Sequence, residues 1–388
     1  MKKLKCIVFI MIGIVILSSS IFATKVSEWK KHSDKKFFDY HNNSVLVEIK
    51  DGNKQYYTYG DDGALINVDA AIIKSNYKDK DYNFTVLNDE KGLIGIETSD
   101  DSKYTKTNKK LNRFLLVDNV TNEIFEINPK SLEVTSLIEP SINGVEKTDF
   151  DNSIEDKKNI ALYWAINPLI NEEGNYMIYW SNKYLDKGKA KIRPGIWLYS
   201  FENNKEERID TSVSDEEGIG PNSFYWLDNK TLVYDTVTIN GDIEYYIYSI
   251  SDNSCKLLRT FPSSVNVYYE NGFLVYNDGS NGITLNYYNI KNDTESSYLF
   301  EKQVNSINPS LIKVSDVGKL AYPVDGNSIL IIDTTTGSTI EIEAPIKAEL
   351  IKVNQWIDNN KISIYLMTDV YDQSSGSTYV INVEETTN

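Results

Sequence analysis

Asn167-Pro168-Leu169-Ile170-Asn171-Glu172-Glu173-Gly174-Asn175-Tyr176-Met177-Ile178-Tyr179-Trp180-Ser181-Asn182, followed after a polar gap by Gly195-Ile196-Trp197-Leu198-Tyr199-Ser200-Phe201, is the stretch that decides the fold. A polar turn carrying a glycine leads into a short aromatic and aliphatic run, and the second run ends in another polar turn, Glu202-Asn203-Asn204-Lys205. Aromatic and β-branched residues favour strands because their bulk packs well on a pleated surface. The pattern therefore reads as one small antiparallel sheet.

Weaker copies fill most of the chain. Tyr225-Trp226-Leu227-Asp228-Asn229-Lys230-Thr231-Leu232-Val233-Tyr234 precedes Glu244-Tyr245-Tyr246-Ile247-Tyr248, and Glu270-Asn271-Gly272-Phe273-Leu274-Val275-Tyr276 precedes Leu285-Asn286-Tyr287-Tyr288. Further on, Val317-Gly318-Lys319-Leu320-Ala321-Tyr322 precedes Ile329-Leu330-Ile331-Ile332, and Lys361-Ile362-Ser363-Ile364-Tyr365 precedes Thr378-Tyr379-Val380-Ile381. The tyrosines that close these runs, Tyr234, Tyr276, Tyr322 and Tyr365, stand 42, 46 and 43 residues apart. That is the length of a four-stranded propeller blade, roughly 40 to 50 residues. The longer step back to Tyr179 holds the polar insertion Lys183 to Pro194.

Upstream the pattern fades. Val45 to Ile49 with Gln55 to Tyr59 makes a first unit, and Gly92 to Ile96 with Arg113 to Asp118 a second. The long step from Ile96 to Tyr179 holds loops or one further unit. The expectation is an all-β chain, a β-propeller of four-stranded antiparallel blades over 37–386, with seven blades and six or eight as alternatives. Radial packing buries both faces of each sheet and shortens exposed edges. An open series of sandwiches is the competing architecture. No sustained helical period occurs beyond the leader.

The stretch Pro168 to Ser181 resembles the repeat of TolB-like propellers, whose blades carry a Ser-Pro-Asp-Gly-Lys turn before an apolar strand. Asn171-Glu172-Glu173-Gly174-Asn175-Tyr176-Met177-Ile178-Tyr179 falls on that repeat, and Asn308-Pro309 with Val314-Ser315-Asp316-Val317-Gly318-Lys319-Leu320-Ala321-Tyr322 is a looser copy. Glu172 replaces the proline and Glu173 the aspartate of the pattern. The resemblance covers about 160–385 and implies architecture: the turn residues of this WD-like repeat are structural. In relatives a hydrolase domain follows the propeller or a small α/β domain precedes it, and neither has room here.

The first residues give an address. Met1-Lys2-Lys3-Leu4-Lys5 is a basic start, Cys6 to Leu17 is apolar but for Gly13, and Ser18-Ser19-Ser20-Ile21-Phe22-Ala23 follows. Residues 1–23 read as an export signal in a helical leader, cut near Ala23 or retained as a single membrane anchor through residues 6–23. Residues 24–36 read as a polar stalk. The protein is expected outside the membrane, anchored in the cell envelope or secreted.

The acidic composition, formal net charge −16, repels phosphate backbones and excludes nucleic acid as a partner. Cations and basic polypeptides fit better. Two cysteines, with only Cys255 beyond the leader, leave no intrachain disulfide in the body and no thiolate metal cluster. The two histidines, His32 and His41, lie near the start, and no G-x-S-x-G elbow occurs, so a serine triad and zinc sites are not expected. Asp149-Phe150-Asp151-Asn152-Ser153-Ile154-Glu155 spaces oxygen ligands as calcium loops do, but Ile154 stands where the sharp turn needs glycine. No cofactor and no metal are expected, and catalysis is left open with a non-catalytic role preferred.

Most aromatic residues occupy strand positions and are accounted for by packing. Trp180, at a strand end before the long insertion, is the one candidate binding residue. The expected function is a binding or scaffold module holding a protein, peptide or glycan at one propeller face. The alternative is a glycan-active enzyme using carboxylates of a central funnel.

Overall fold

The computed structural model describes residues 30–33, 38–40, 45–59, 65–77, 80–89, 92–98, 103–108, 113–128, 130–139, 141–142, 145–146, 165–181, 195–210, 219–277, 284–300, 307–324, 327–372 and 375–383. The leader 1–23, the insertion 183–194 and the acidic segment 149–155 lie outside them.

In chain order, β1 (Lys30–Ser33) stands apart from its neighbours in sequence, and the first sheet holds β2 (Phe38–Tyr40), β3 (Val45–Lys50), β4 (Asn53–Tyr59) and β5 (Leu65–Asn67). The second holds β6 (Asp69–Tyr77), β7 (Lys80–Asp89) and β8 (Gly92–Thr98). The third holds β9 (Lys103–Asn108), β10 (Arg113–Asp118), β11 (Glu123–Ile127) and β12 (Val134–Ile138), and a hairpin of β13 (Ser141–Ile142) and β14 (Val145–Glu146) follows. The fourth holds β15 (Ala165–Ile170), β16 (Tyr176–Ser181), β17 (Gly195–Ser200) and β18 (Lys205–Arg208). The fifth holds β19 (Ile219–Trp226), β20 (Thr231–Val237), β21 (Ile243–Ser249) and β22 (Ser254–Phe261). The sixth holds β23 (Asn266–Glu270), β24 (Phe273–Asn277), β25 (Thr284–Asn289) and β26 (Thr294–Leu299). The seventh holds β27 (Lys313–Val314), β28 (Lys319–Val324), β29 (Ser328–Asp333) and β30 (Thr339–Glu343). The eighth runs β31 (Leu350–Trp356), β32 (Lys361–Met367), β33 (Gly376–Asn382) and then β1. Consecutive strands pair antiparallel throughout, so each sheet is a meander of the blade type.

Among the described residues there are thus seven four-stranded sheets and one of three strands. The stretch read from sequence as the second unit, Gly92 to Asp118, is divided between the second and third sheets. Its missed partners are β6 and β7. β6 is mostly exposed and interleaves Asp69, Lys74, Ser75 and Asn76 with its apolar residues, so it lacks the dense apolar run that marks the central strands.

Residues 30–33, read as part of the polar stalk, are instead the outermost strand of the eighth sheet: Lys30 pairs with Val380 and Lys31 with Tyr379. Nothing apolar marks this strand, because an outermost strand needs only main-chain donors and acceptors to cover the edge of its neighbour. The two ends of the chain meet in one sheet as a result.

Contacts divide the chain into two units, Lys35–Ile312 and the unit formed by β1 with the residues from Lys313 on. In the larger unit the apolar clusters lie between successive sheets. On β16, Met177 and Tyr179 pack toward the third sheet with Leu115, whereas Ile178 packs toward the fifth with Leu232 and Tyr234. On β20, Val233 then joins Leu274 and Tyr288 of the sixth sheet. Neighbouring residues of a strand point to opposite faces, so a continuous apolar run is what a sheet buried on both faces requires. In the smaller unit Ile331 and Ile342 of the seventh sheet pack with Ile351, Ile364 and Ile381 of the eighth in the same way.

The glycine turns that carried the TolB-like resemblance are structural. Gly174 at φ +70° donates its N–H to Asn171 O at 3.0 Å, and fully buried Asn171 donates through Nδ2 to Asn229 O at 3.0 Å, in the matching turn of the next sheet. In the smaller unit Gly318 donates to Ser315 O at 3.0 Å and Lys319 Nζ reaches Asn360 Oδ1 at 3.1 Å. A second repeated device closes the third-to-fourth-strand turns: Tyr199 donates to Asn204, Tyr248 to Asn253 and Tyr288 to Asp293, at 3.0, 2.6 and 2.8 Å. Each acceptor has φ near +50°, a conformation that asparagine and aspartate tolerate well.

Candidate functional site

In the fifth, sixth and eighth sheets an aromatic residue at or next to the end of the first strand reaches the sheet before it. Trp226 Nε1 donates to Leu169 O at 3.0 Å, Tyr269 OH donates to Trp226 O at 3.3 Å, and Trp356 Nε1 donates to Lys313 O at 3.0 Å. These rings are spent on joining sheets. Trp180 is half-buried, its ring meeting Phe224 edge-on at 5.6 Å, and its indole N–H is enclosed without a hydrogen-bond partner among the described residues. It belongs to the apolar cluster between the fourth and fifth sheets.

A different place in the larger unit offers room. A slot of about 590 Å³ is walled on one side by Ser263, Val265, Asn266, Val267 and Tyr268, at the entry to β23. Ile307, Asn308, Pro309, Ser310 and Ile243 complete its lining. Local sequence builds this lining. Pro262 O accepts Val265 N at 2.9 Å, making the tight turn that swings the chain from β22 into β23. Asn308 Oδ1 accepts Ser310 N at 3.1 Å and Ser310 Oγ at 2.8 Å, capping the 3₁₀ turn Pro309–Leu311. Proline suits the first position of such a turn, where its missing N–H costs nothing.

The fifth sheet holds a buried carboxylate. Asp235, on β20 opposite Ser223, is only 4% exposed and accepts from Asn222 Nδ2 at 3.3 Å. Desolvation pushes its carboxyl up to about 6 against the hydrogen bonds from Asn222 and Ser223, which act the other way. Burial also raises the phenols of Tyr225 and Tyr245, and the Asp235 charge adds to it in both. Tyr245 pairs with Asp235 across β20 and β21, and Ile243, two residues before Tyr245, lines the slot. Tyr225 and Tyr269 stack at 4.2 Å in the same place.

Chemically, the slot wall is neutral: two serines, two asparagines, one tyrosine and a set of aliphatic side chains. It presents hydrogen-bond donors and acceptors but no nucleophile with an adjacent base. Among the described residues no group of three or more histidine, cysteine, aspartate or glutamate side chains is placed to hold a metal, and no helix is long and apolar enough to cross a membrane. Cys255 is in no disulfide among the described residues, and its Sγ lies 3.1 Å from the Tyr234 hydroxyl.

None of the slot residues was a sequence candidate. Asn308-Pro309 enters the sequence reading only within the looser copy of the repeat, and Tyr268 is not singled out there. What brings them together is the passage between sheets, whose course no local pattern encodes.

No family model and no curated protein matches the chain. Among solved structures it is similar to dipeptidyl peptidase 4 of Porphyromonas gingivalis, with a TM-score of 0.55 and 10% identity over 87% of this chain and 57% of that one. This chain thus spans less than two thirds of the peptidase. Oligogalacturonate lyase of Vibrio parahaemolyticus matches with a TM-score of 0.48 and 8% identity over 93% of each chain. TolB of Acinetobacter baumannii matches with a TM-score of 0.32 and 12% identity over 81% of this chain and 79% of that one. The likeness is one of fold: an all-β chain of antiparallel meander sheets, consistent with the β-propeller expected from the repeats.

Proposed function

We propose that the protein is an exported, cell-envelope-associated β-propeller that binds a protein, peptide or glycan in the slot beside Tyr268 and does not turn it over. The observation that carries this reading is the slot itself: about 590 Å³ of space with a neutral, hydrogen-bonding wall and an aromatic anchor. Such walls fix orientation and supply specificity, and a tyrosine gives large contact area at small entropic cost. The leader sequence supports the exported setting.

Panels of displayed peptides and arrayed glycans test it. The wild type is expected to retain a ligand that Tyr268→Ala weakens at least tenfold, about 1.4 kcal/mol, without a change in unfolding midpoint. Asn266→Trp, which fills the slot from an exposed position, serves as the second variant and is expected to abolish retention. Equal affinity in both variants overturns the assignment of the slot, and turnover of a polysaccharide by the wild type favours the glycan-active alternative, for which the buried Asp235 is the one supporting observation.

A further inference from the structure

Several outermost strands of this chain carry charge along their edges. β18 reads Lys-Glu-Glu-Arg, β22 carries Lys256 and Arg259, β26 carries Glu295, and β30 carries Glu341 and Glu343. Charged side chains along an exposed edge keep another strand from pairing there. β6 is an edge strand of the second sheet and, among the described residues, pairs with β7 alone, through all nine of its residues. Its charged residues are Asp69 and Lys74, and Ala70-Ala71-Ile72-Ile73 between them carries no charge.

The edge of β6 is reachable. Ala70, Ile72, Lys74 and Asn76 share one face and are all exposed, Ile72 to 80%. On the other face Ile73 and Tyr77 pack in the apolar cluster shared with the third sheet, and Ser75 Oγ donates to Leu132 O at 2.8 Å. Those contacts hold the strand in place. Asp69 and Ala71 lie on this second face and are exposed too. From Asp69 to Ile72 neither face of the strand is covered, and the main-chain groups that point away from β7 there are open to a partner strand.

The strand is its own complement. A second copy related by a two-fold axis normal to the sheet pairs antiparallel and keeps every residue on its own face, so opposed residues share a face. Centred on Ile72, such a pairing sets Ile72 against its copy, Ala71 against Ile73, Ala70 against Lys74 and Asp69 against Ser75. Apolar residues meet at the axis and no like charges are opposed. At each end Asp69 of one copy stands one position from Lys74 of the other, opposite in sign. The formal net charge of −16 repels copies at long range, but at about 0.15 M salt that repulsion is screened beyond about 8 Å. The exposed Ile72 side chain gains burial in both copies.

We infer that β6 is a self-association edge: two copies of the chain pair their β6 strands antiparallel about a two-fold axis at Ile72, which joins two three-stranded sheets into one of six strands. The edge shares no residue with the slot beside Tyr268 and stands independently of it.

Sedimentation equilibrium of the full chain, with and without Ile72→Lys, tests it. The wild type is expected to form a dimer as its concentration rises. Ile72→Lys opposes two lysines across the axis at an exposed position, and is expected to weaken the dimer at least tenfold, about 1.4 kcal/mol, without a change in unfolding midpoint. In a background carrying Cys6→Ser and Cys255→Ser, Ile72→Cys is expected to give a disulfide-linked dimer on mild oxidation, because the two copies of this position lie directly opposed. Asn76→Cys, exposed on the same face, sets its two thiols about 26 Å apart in this register and is expected to stay unlinked. A monomer at every concentration, an oligomer that Ile72→Lys leaves unchanged, or linking at position 76 as complete as at position 72 overturns the inference.

Discussion

Removal of residues 1–33 is expected to lower the unfolding midpoint by about 10 °C and to drive self-association, whereas removal of residues 1–29 alone changes neither. β1 is the only cover on the outer edge of β33 among the described strands. Its loss forfeits about three or four main-chain hydrogen bonds, each contributing about 1 kcal/mol net, and a loss of that size moves the midpoint of a domain of this class by about 2 to 4 °C per kcal/mol. The exposed edge is a worse problem than the lost bonds. β33 is buried along Gly376–Ile381, with Tyr379 at 7%, Val380 at 6% and Ile381 at 0% exposure. An apolar edge strand stripped of its neighbour pairs with another copy. Differential scanning fluorimetry and light scattering of the two truncations check this, and identical behaviour of the two would contradict the placement of β1.

The second large effect concerns Asp235. Its ordinary value is 3.8, and burial holds it at about 6 in the folded protein. Between those values the folded state binds more protons than the unfolded state, so stability falls as pH rises from about 4 to about 6. Above that window the native protein carries a buried carboxylate that is hydrogen-bonded to Asn222 and Ser223 but has no cation partner among the described residues, at a cost of about 3 kcal/mol. Asp235→Asn keeps the shape and an acceptor for Asn222 while removing the charge. The stability difference between variant and wild type is therefore expected near zero at about pH 4 and at about 3 kcal/mol in favour of the variant above pH 7. Urea unfolding across that range measures it. A difference that does not vary with pH would show that Asp235 does not titrate in a buried setting.

How much of this was legible in the sequence follows from where each strand sits. The second and third strands of the fourth, fifth and sixth sheets, such as β16 with β17 and β20 with β21, are enclosed by neighbours, and their sequences are dense in apolar and aromatic residues. Those are the runs that gave the repeat and its period. The outermost strands read Lys-Glu-Glu-Arg in β18 and Thr-Glu-Ser-Ser-Tyr-Leu in β26, mostly exposed, and nothing in them distinguishes strand from loop. β1 is the extreme case, because its partner lies at the far end of the chain and local pattern carries no information about it.

One local signal was present and unread. Tyr199-Ser200-Phe201-Glu202-Asn203-Asn204, Tyr248-Ser249-Ile250-Ser251-Asp252-Asn253 and Tyr288-Asn289-Ile290-Lys291-Asn292-Asp293 place a tyrosine five residues before an asparagine or aspartate, and each pair is hydrogen-bonded. That spacing marks the turn into the fourth strand and would have located β18, β22 and β26. The slot was not legible in the same sense. Val265 to Tyr268 and Ile307 to Ser310 are some forty residues apart, roughly one blade repeat, and only the packing of successive sheets brings them together.

The account depends on the N-terminal strand completing the last sheet, and a disulfide tests that most directly. Directly opposed residues of an antiparallel pair have Cα atoms about 4.5 to 5.5 Å apart, within the reach of a disulfide, about 4.4 to 6.8 Å. In a background carrying Cys6→Ser and Cys255→Ser, the pair Lys30→Cys and Val380→Cys is predicted to oxidise to a monomer with a single intrachain link between positions 30 and 380, read by mass mapping without reduction. Free thiols after mild oxidation, or links only between molecules, would contradict it.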